Sequence, residues 1–418
     1  MKAFYCFAIG TLLSIGAPES VAQEWTRFRG PNGTGINEQY AFPGKWSEND
    51  YHWKTPLPGI GHSSPVVWGN RVFVTSADPK NATQYLLCVD LASGKVQWQR
   101  EFPCAPHHLH SRSSFASSTP VVDAERVYFA FASPEAIELR ALNHEGHDVW
   151  TRNLGTFVSQ HGFGSSPILF EELLIFSNSQ QEQQVPEGKK PGKSTLMALE
   201  KRTGKTVWSL DRTSERVCYP VPYVYQNAKG VSEIIHYNTG DGFYGVNPHR
   251  GTVNWLAPKL FRMRTVSSPV LAGGLLFGST GSGGGGNYIV AIKPGPDPKV
   301  MYTIDRQAPY VPTPVAKAGL LFLFYDKGIV TCIEASTGKI HWKERLKTAF
   351  SGSPVRVRDK LFCIDEEGVV IVLAADKSFK ELGRNPLGDR SRATPAVAGG
   401  RMLLRTYSYL FCLGGKGA

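Results

Sequence analysis

TPVAKAGLLFLFYDKGIVTCIEASTGKIHWKERL, residues Thr313 to Leu346, decides the fold of this chain. It holds four short strand signals in a row. An inner run follows Thr313-Pro314, and the apolar run Leu320 to Tyr325 ends at the turn Asp326-Lys327-Gly328. A third run, Ile329 to Glu334, leads into Ser336-Thr337-Gly338-Lys339 and a last strand carrying Trp342. Asp and Gly stand where the chain must reverse, so the stretch predicts a four-stranded antiparallel meander. Such a sheet has two faces and cannot bury both alone, so it needs copies of itself.

The rest of the chain supplies them. Ser or Thr before Pro recurs at Ser64-Pro65, Thr119-Pro120, Ser166-Pro167, Ser268-Pro269, Thr313-Pro314, Ser353-Pro354 and Thr394-Pro395, with Tyr219-Pro220 filling the fourth place. These prolines lie 40 to 55 residues apart, a propeller-blade period. Six repeats then place an aromatic in a fourth strand: Trp98, Trp150, Trp208, Trp255, Tyr302 and Trp342. The seventh has Leu382 there, and the eighth stops after its third strand. Tyr51-His52-Trp53-Lys54-Thr55, ahead of the first anchor, carries Trp53 in the matching context. The predicted fold is all-β: an eight-bladed β-propeller of four-stranded antiparallel blades. An N-terminal strand pairs with the last blade to close the ring, which removes two exposed edges.

Composition agrees. In 418 residues there are 43 Gly and 28 Pro, and a charged fraction of only 19% argues against disorder. Met1 to Ala22 reads as a secretory leader, with Lys2 as its positive start, an apolar run from Ala3 to Ala17 and small residues around Val21. The run is too short and broken for a transmembrane span. The expected organisation is a leader at 1–22, an irregular arm at 23–49 and the propeller at 50–418, in a periplasmic or secreted protein. Trp25, Phe28, Phe42 and Trp46 are too apolar to leave in water, so the arm should pack along the body. The net charge of +11 is spread along the chain. Export makes nucleic acid a poor partner. An anionic small molecule, a polysaccharide or another exported protein suits the charge, and a monomer is expected. Cys88, Cys332 and Cys412 share one place in their third strands and Cys363 lies in a second strand, so these read as packing residues. Only Cys104 and Cys218 are left in loops for a bridge.

The repeats VDLASGKVQW (Val89 to Trp98), ALEKRTGKTVW (Ala198 to Trp208) and CIEASTGKIHW (Cys332 to Trp342) resemble the pyrroloquinoline-quinone-like propeller repeat family. The resemblance covers Tyr51 to Gly414. The arm WTRFRGPNGTG, Trp25 to Gly35, resembles the opening of exported bacterial propellers common in planctomycetes. That family includes quinoprotein dehydrogenases and the non-catalytic scaffold lipoprotein of the outer-membrane β-barrel assembly machine. The resemblance therefore implies the fold and leaves activity open.

In a propeller, the loops that lead into the inner strands gather on one face around the channel. There the sequence places the ligand-binding candidates His62, His108, His110, Arg112, His161, Tyr219, Arg262, Arg264, Tyr310 and Arg392. Guanidinium donors match carboxylate or phosphate oxygens, so this predicts an anion site. His107, His108 and His110 offer enough imidazoles for Zn²⁺ or Cu²⁺, but no acidic ligand accompanies them and no metal is expected. Gly281 to Gly286 matches G-x-G-x-x-G yet leads into no helix, so it reads as a hairpin loop. Ser177 to Ser194 is the longest insertion, polar, on the same face and expected to be a mobile loop or a partner-binding flap. For a quinone enzyme the resemblance implies adjacent cysteines, a stacking Trp, and Glu, Asn or Asp ligands for Ca²⁺ beside a catalytic Asp. No two cysteines are adjacent, the mouth loops are cationic, and Asp241 is the nearest stray carboxylate. The expectation is an exported non-catalytic propeller binding an anionic ligand or protein partner, with no catalytic residue assigned. A pyrroloquinoline-quinone-dependent or metal-dependent oxidoreductase, and an outer-membrane assembly scaffold, stand as alternatives. The cofactor is unknown, and pyrroloquinoline quinone is disfavoured. Blade six, with its short turns, should be scaffold, and function should lie at blades one to five.

Overall fold

Thr313 to Leu346 forms the expected meander in the computed structural model, which describes residues 24–227 and 229–417. Strands Val315–Lys317, Leu320–Tyr325, Ile329–Glu334 and Ile340–Arg345 pair in that order, each antiparallel to the next. The same unit recurs at 66–102, 121–153, 168–212, 223–257, 270–304 and 355–386. The eighth, 396–414, has three strands of its own. Its fourth is Tyr51–Pro56, antiparallel to Tyr409–Gly414 with Trp53 opposite Cys412. The protein is an eight-bladed propeller closed by an N-terminal strand. The leader expected at 1–22 lies outside the described residues.

The core lies between blades rather than within them. Second strands such as Leu320–Tyr325 are buried almost end to end because a neighbouring blade covers each face. Outer strands such as Val96–Phe102 alternate, with one face in water. Each outer aromatic locks a seam. The indole N–H of Trp53 donates to Leu91 O of blade one at 2.9 Å, Trp98 to His144 O at 2.8 Å and Trp150 to Lys201 O at 2.9 Å. Trp208 reaches Pro248 O at 2.8 Å and Trp342 reaches Asp376 O at 2.9 Å. The Gly of the next blade's turn lies flat on the ring. A Cβ on Gly204 would stand 2.7 Å from Trp150, and one on Gly251 would stand 2.6 Å from Trp208. The recurrent turn Gly and the outer Trp of the repeat are thus two halves of one contact, made between different blades.

Two seams differ from the others. Trp255 shares an apolar cluster with Leu276, Val290 and Ile292 of blade five, but its indole N–H donates to Glu233 Oε2 of its own blade at 3.0 Å, over Gly245. In blade seven the residue at the aromatic's register is Gly383, opposite Val372, and not Leu382. A side chain there would collide with the backbone of Gly44 and with Lys45, because the arm occupies that space. Phe42 and Trp46 of the arm fill it instead, both against Phe362.

The Ser/Thr-Pro anchors form a belt around the channel. Except at Ser166, each anchor's backbone N–H donates to the next blade's anchor hydroxyl: Ser64 to Thr119 at 3.0 Å, Thr119 to Ser166 at 2.9 Å, Ser268 to Thr313 at 2.9 Å. The belt continues from Thr313 to Ser353 and from Ser353 to Thr394, each at 2.9 Å, and Thr394 closes it on Ser64 at 3.3 Å. Blade four corrects the sequence reading. Its inner strand begins at Tyr223, and Val221 N, not Tyr219 N, donates to Ser268 Oγ at 3.1 Å. The anchor is therefore Val221-Pro222, two residues beyond the assignment, and one hydroxyl of eight is replaced by a valine methyl. The sequence hid this because Tyr219-Pro220 and Val221-Pro222 are both X-Pro pairs, and neither has the hydroxyl.

The arm plugs the channel's other end. Trp25 bridges Val67 of blade one and Thr26 O accepts from Val122 N of blade two. Arg27 then donates to Pro222 O of blade four at 2.6 Å. Arg29, fully buried, donates to Thr313 O and Pro314 O of blade six, both at 2.7 Å, and to Pro354 O of blade seven at 3.0 Å. Burial draws its pKa down to about 9. Ile36–Asn37 then runs parallel to Val355–Val357, adding a fifth strand to blade seven. Inner-strand carbonyls that would face an open channel are bonded to one guanidinium instead.

All six cysteines of residues 24–417 are free, so the expected candidate bridge between Cys104 and Cys218 is absent. Cys218 is buried beside Ser214, Thr239 and the Arg216 carbonyl.

Candidate functional site

With the arm below, the channel becomes a blind cavity of about 560 Å³ that opens among the mouth loops. Eight of the ten predicted residues line it: His62, His110, Arg112, His161, Tyr219, Arg264, Tyr310 and Arg392. His108 and Arg262 do not. Both residues are exposed, and Arg262 N donates to Tyr288 OH at 2.9 Å. Blades six to eight also contribute, through Tyr310, Ser351 and Arg392, so the site is not confined to blades one to five.

Arg264 is the most buried of the four arginines that line the cavity, at 4% exposure. Its Nε donates to Val217 O at 2.9 Å and its Nη1 donates to His161 Nε2 at 3.1 Å. Its Nη2 is buried with no partner among the described residues. Because His161 Nε2 accepts from Arg264, the ring proton sits on Nδ1, which is also buried without a partner. Burial, then the Arg264 charge, pulls the His161 pKa down to about 4. His62 falls to about 3 by burial, with Arg392 and Arg405 adding to the fall. His110, stacked on His161 at 4.5 Å, is lowered chiefly by burial and then by Arg112. These imidazoles are neutral near pH 7, and the site's positive charge rests on the arginines.

The Ser177 to Ser194 insertion holds this arrangement together. Gln180 and Gln181, read from the sequence as part of a mobile loop, are buried. Gln181 Oε1 accepts from Val217 N at 3.2 Å and Gln184 Oε1 accepts from Arg216 Nη2 at 3.0 Å. Val217 in turn carries Arg264, so the insertion positions two of the four arginines. On the far side, Arg392 donates to Ser111 O at 3.3 Å and lies 3.8 Å from Glu366, a nearly buried pair. Asp326 holds Tyr310 in place by accepting from Tyr310 N at 2.7 Å and Val311 N at 3.1 Å, and burial raises its pKa to about 6. Among the described residues, no Asp, Glu, Cys or Trp lines the cavity.

Sequence reasoning missed the lower half of the site. Seven belt hydroxyls, Phe28 of the arm and Val221 line it, while Ser282 and Gly283 of the glycine-rich hairpin join the mouth. The recurring Ser/Thr at each anchor was the available signal; only its role in marking strands was legible.

A metal does not suit the histidines: His161 Nε2 already accepts from Arg264, and the described residues hold no group of three metal-ligating side chains. The calcium-bound quinone implied by the resemblance does not suit the lining either. It offers no carboxylate to hold calcium, no indole to stack and no cysteine pair.

Among solved structures, the chain is similar to BamB from Moraxella catarrhalis at 13% identity and a TM-score of 0.59, covering 86% of this chain and 97% of that one. It is similar to a quinohemoprotein alcohol dehydrogenase from Comamonas testosteroni at 12% identity and a TM-score of 0.66, covering 95% and 81%. A europium-containing methanol dehydrogenase aligns at 12% identity and a TM-score of 0.53, covering 84% and 89%. Identities this low speak for the fold alone. None of the curated proteins compared with the chain matches it. The sequence model described as outer membrane protein assembly factor BamB matches residues 45–181, 137–295 and 305–410, which is nearly the whole ring. Eight blades, a strand-closed ring and that match together make the chain a member of the BamB-type, pyrroloquinoline-quinone-like propeller family.

Proposed function

We propose that this protein is a non-catalytic binding propeller that takes an anionic group into the blind end of its channel. The observation that carries the reading is the buried Arg264, with one nitrogen unpartnered, in a cavity lined by four arginines and no carboxylate. A buried guanidinium with an unused donor is costly, and a carboxylate or phosphate oxygen would relieve that cost with a charge-assisted bond. The thermal unfolding midpoint of the whole chain should rise with added inorganic phosphate, by mass action on the folded state. Arg264→Met should abolish the rise while Arg262→Met, outside the cavity, leaves it intact. Equal responses from the two variants would place the anion elsewhere. Export to the periplasm or beyond belongs to this reading, through the leader predicted at 1–22.

The family match favours a second reading, a scaffold in outer-membrane protein assembly. Exposed Val96, Val149, Val207, Val253, Val300 and Ile340 along the outer strands of blades one to six offer apolar contacts for it. Val207→Asp and Val300→Asp together should then release an assembly-machine protein that copurifies with the wild type. Unchanged copurification would remove the edge from the argument.

A further inference from the structure

We propose that the ligand is an amphipathic oxyanion, an alkyl or aryl phosphate or carboxylate, whose apolar body rests on Val221 and Phe28 while Arg264 holds its head. The inference deepens the anion reading above and rests on it. Its ground is the break in the belt. Seven anchor hydroxyls each accept a neighbour's N–H, and none donates to an acceptor among the described residues. Their protons remain available to a ligand around most of the wall. At blade four the anchor itself turns apolar.

Val221 is 5% exposed, and Phe28 packs against the same apolar cluster from the arm below. Val266 and Phe163 also line the cavity. Arg264 belongs to this side, because its Nε is bonded to Val217 O, four residues before Val221. A charged head and an apolar seat are therefore built next to each other, with hydroxyl donors around the remaining arc.

That pairing discriminates between ligand classes. A bare inorganic anion would use Arg264 and leave the apolar seat in contact with water. A sugar phosphate would press hydroxyls against Val221 and Phe28, which accept no hydrogen bond, and each unpaired hydroxyl would cost binding. An aryl or alkyl body would instead lose water-exposed apolar surface there.

The test is calorimetric titration of the whole chain with inorganic phosphate, phenyl phosphate and glucose 6-phosphate at one pH and ionic strength. Phenyl phosphate should bind about tenfold tighter than either of the others. Val221→Thr, which extends the hydroxyl belt, should remove most of that advantage and leave inorganic phosphate unchanged. Phe28→Leu should narrow it too, and serves if the threonine variant does not fold. Equal affinities for the three probes, all lost in Arg264→Met, would overturn the apolar seat and leave the anion site standing. Tightest binding of glucose 6-phosphate, or an advantage for phenyl phosphate that survives both substitutions, would also overturn it. Binding of none of the probes would sink the anion reading as well.

Discussion

Gly94→Ala should open the propeller at its closing seam. Gly94 belongs to blade one, has φ +73° and lies on the indole of Trp53, the residue that the N-terminal strand brings to blade eight. A methyl there would stand 2.5 Å from the ring and 2.8 Å from the Thr55 hydroxyl. The left-handed backbone costs an alanine about 1–2 kcal/mol by itself. To clear the methyl, Trp53 must leave Leu91 O, which it now holds at 2.9 Å, and Thr55 must leave Gly94 O at 2.6 Å. Each bond lost removes about 1 kcal/mol, and the looser indole packing removes about 1 kcal/mol more. The total is about 4–5 kcal/mol. Gly69→Ala is the control, because φ is +54° there and a methyl meets nothing within 4 Å, so only the backbone cost of about 1–2 kcal/mol applies. Urea unfolding followed by tryptophan fluorescence measures both, and dilute protease should cut the Gly94→Ala variant within 51–56 before the rest unfolds. Equal losses in the two variants, with no early cleavage, would refute the claim that this contact locks the ring.

Other substitutions test the remaining devices. Arg29→Lys should cost about 3–5 kcal/mol of unfolding free energy, since an ammonium cannot reach the carbonyls of two blades at once; a loss below about 1 kcal/mol would show the plug to be dispensable. Ser268→Ala should cost about 1–2 kcal/mol by leaving Val221 N without its acceptor, and an unchanged urea midpoint would deny the belt any energetic role. Asp326 has a folded pKa raised from 3.8 to about 6, so its contribution is fully present below pH 4 and is lost as pH rises through 6. The stability of wild type minus that of Asp326→Asn should therefore fall by about 3 kcal/mol between pH 3 and 7, and a flat difference would contradict the buried carboxyl.

The blade count, the strand order and the closing strand were legible because each rests on a local pattern repeated eight times. Trp53 could be matched to the last blade by its context alone, before any contact was known. Most of the cationic mouth was legible as well, since Arg264, His161 and Arg392 all sit in loops that lead into inner strands. His108 and Arg262 share those loops but are not part of the cavity lining, because loop membership does not say which way a side chain faces.

What depended on tertiary structure was every contact between residues far apart in sequence. The register of a bulged outer strand moved the blade-seven position from Leu382 to Gly383, and the arm's occupation of that space explains the missing aromatic. A hydrogen bond to Ser268 fixed the blade-four anchor at Val221, where sequence spacing allowed Tyr219. The repeat determines the ring because short-range turns and alternation are encoded locally. The site belongs to the tertiary structure, because its floor, wall and charge come from the arm, the anchors and the loops of different blades. Only closure of the ring brings Phe28, Val221 and Arg264 to one cavity.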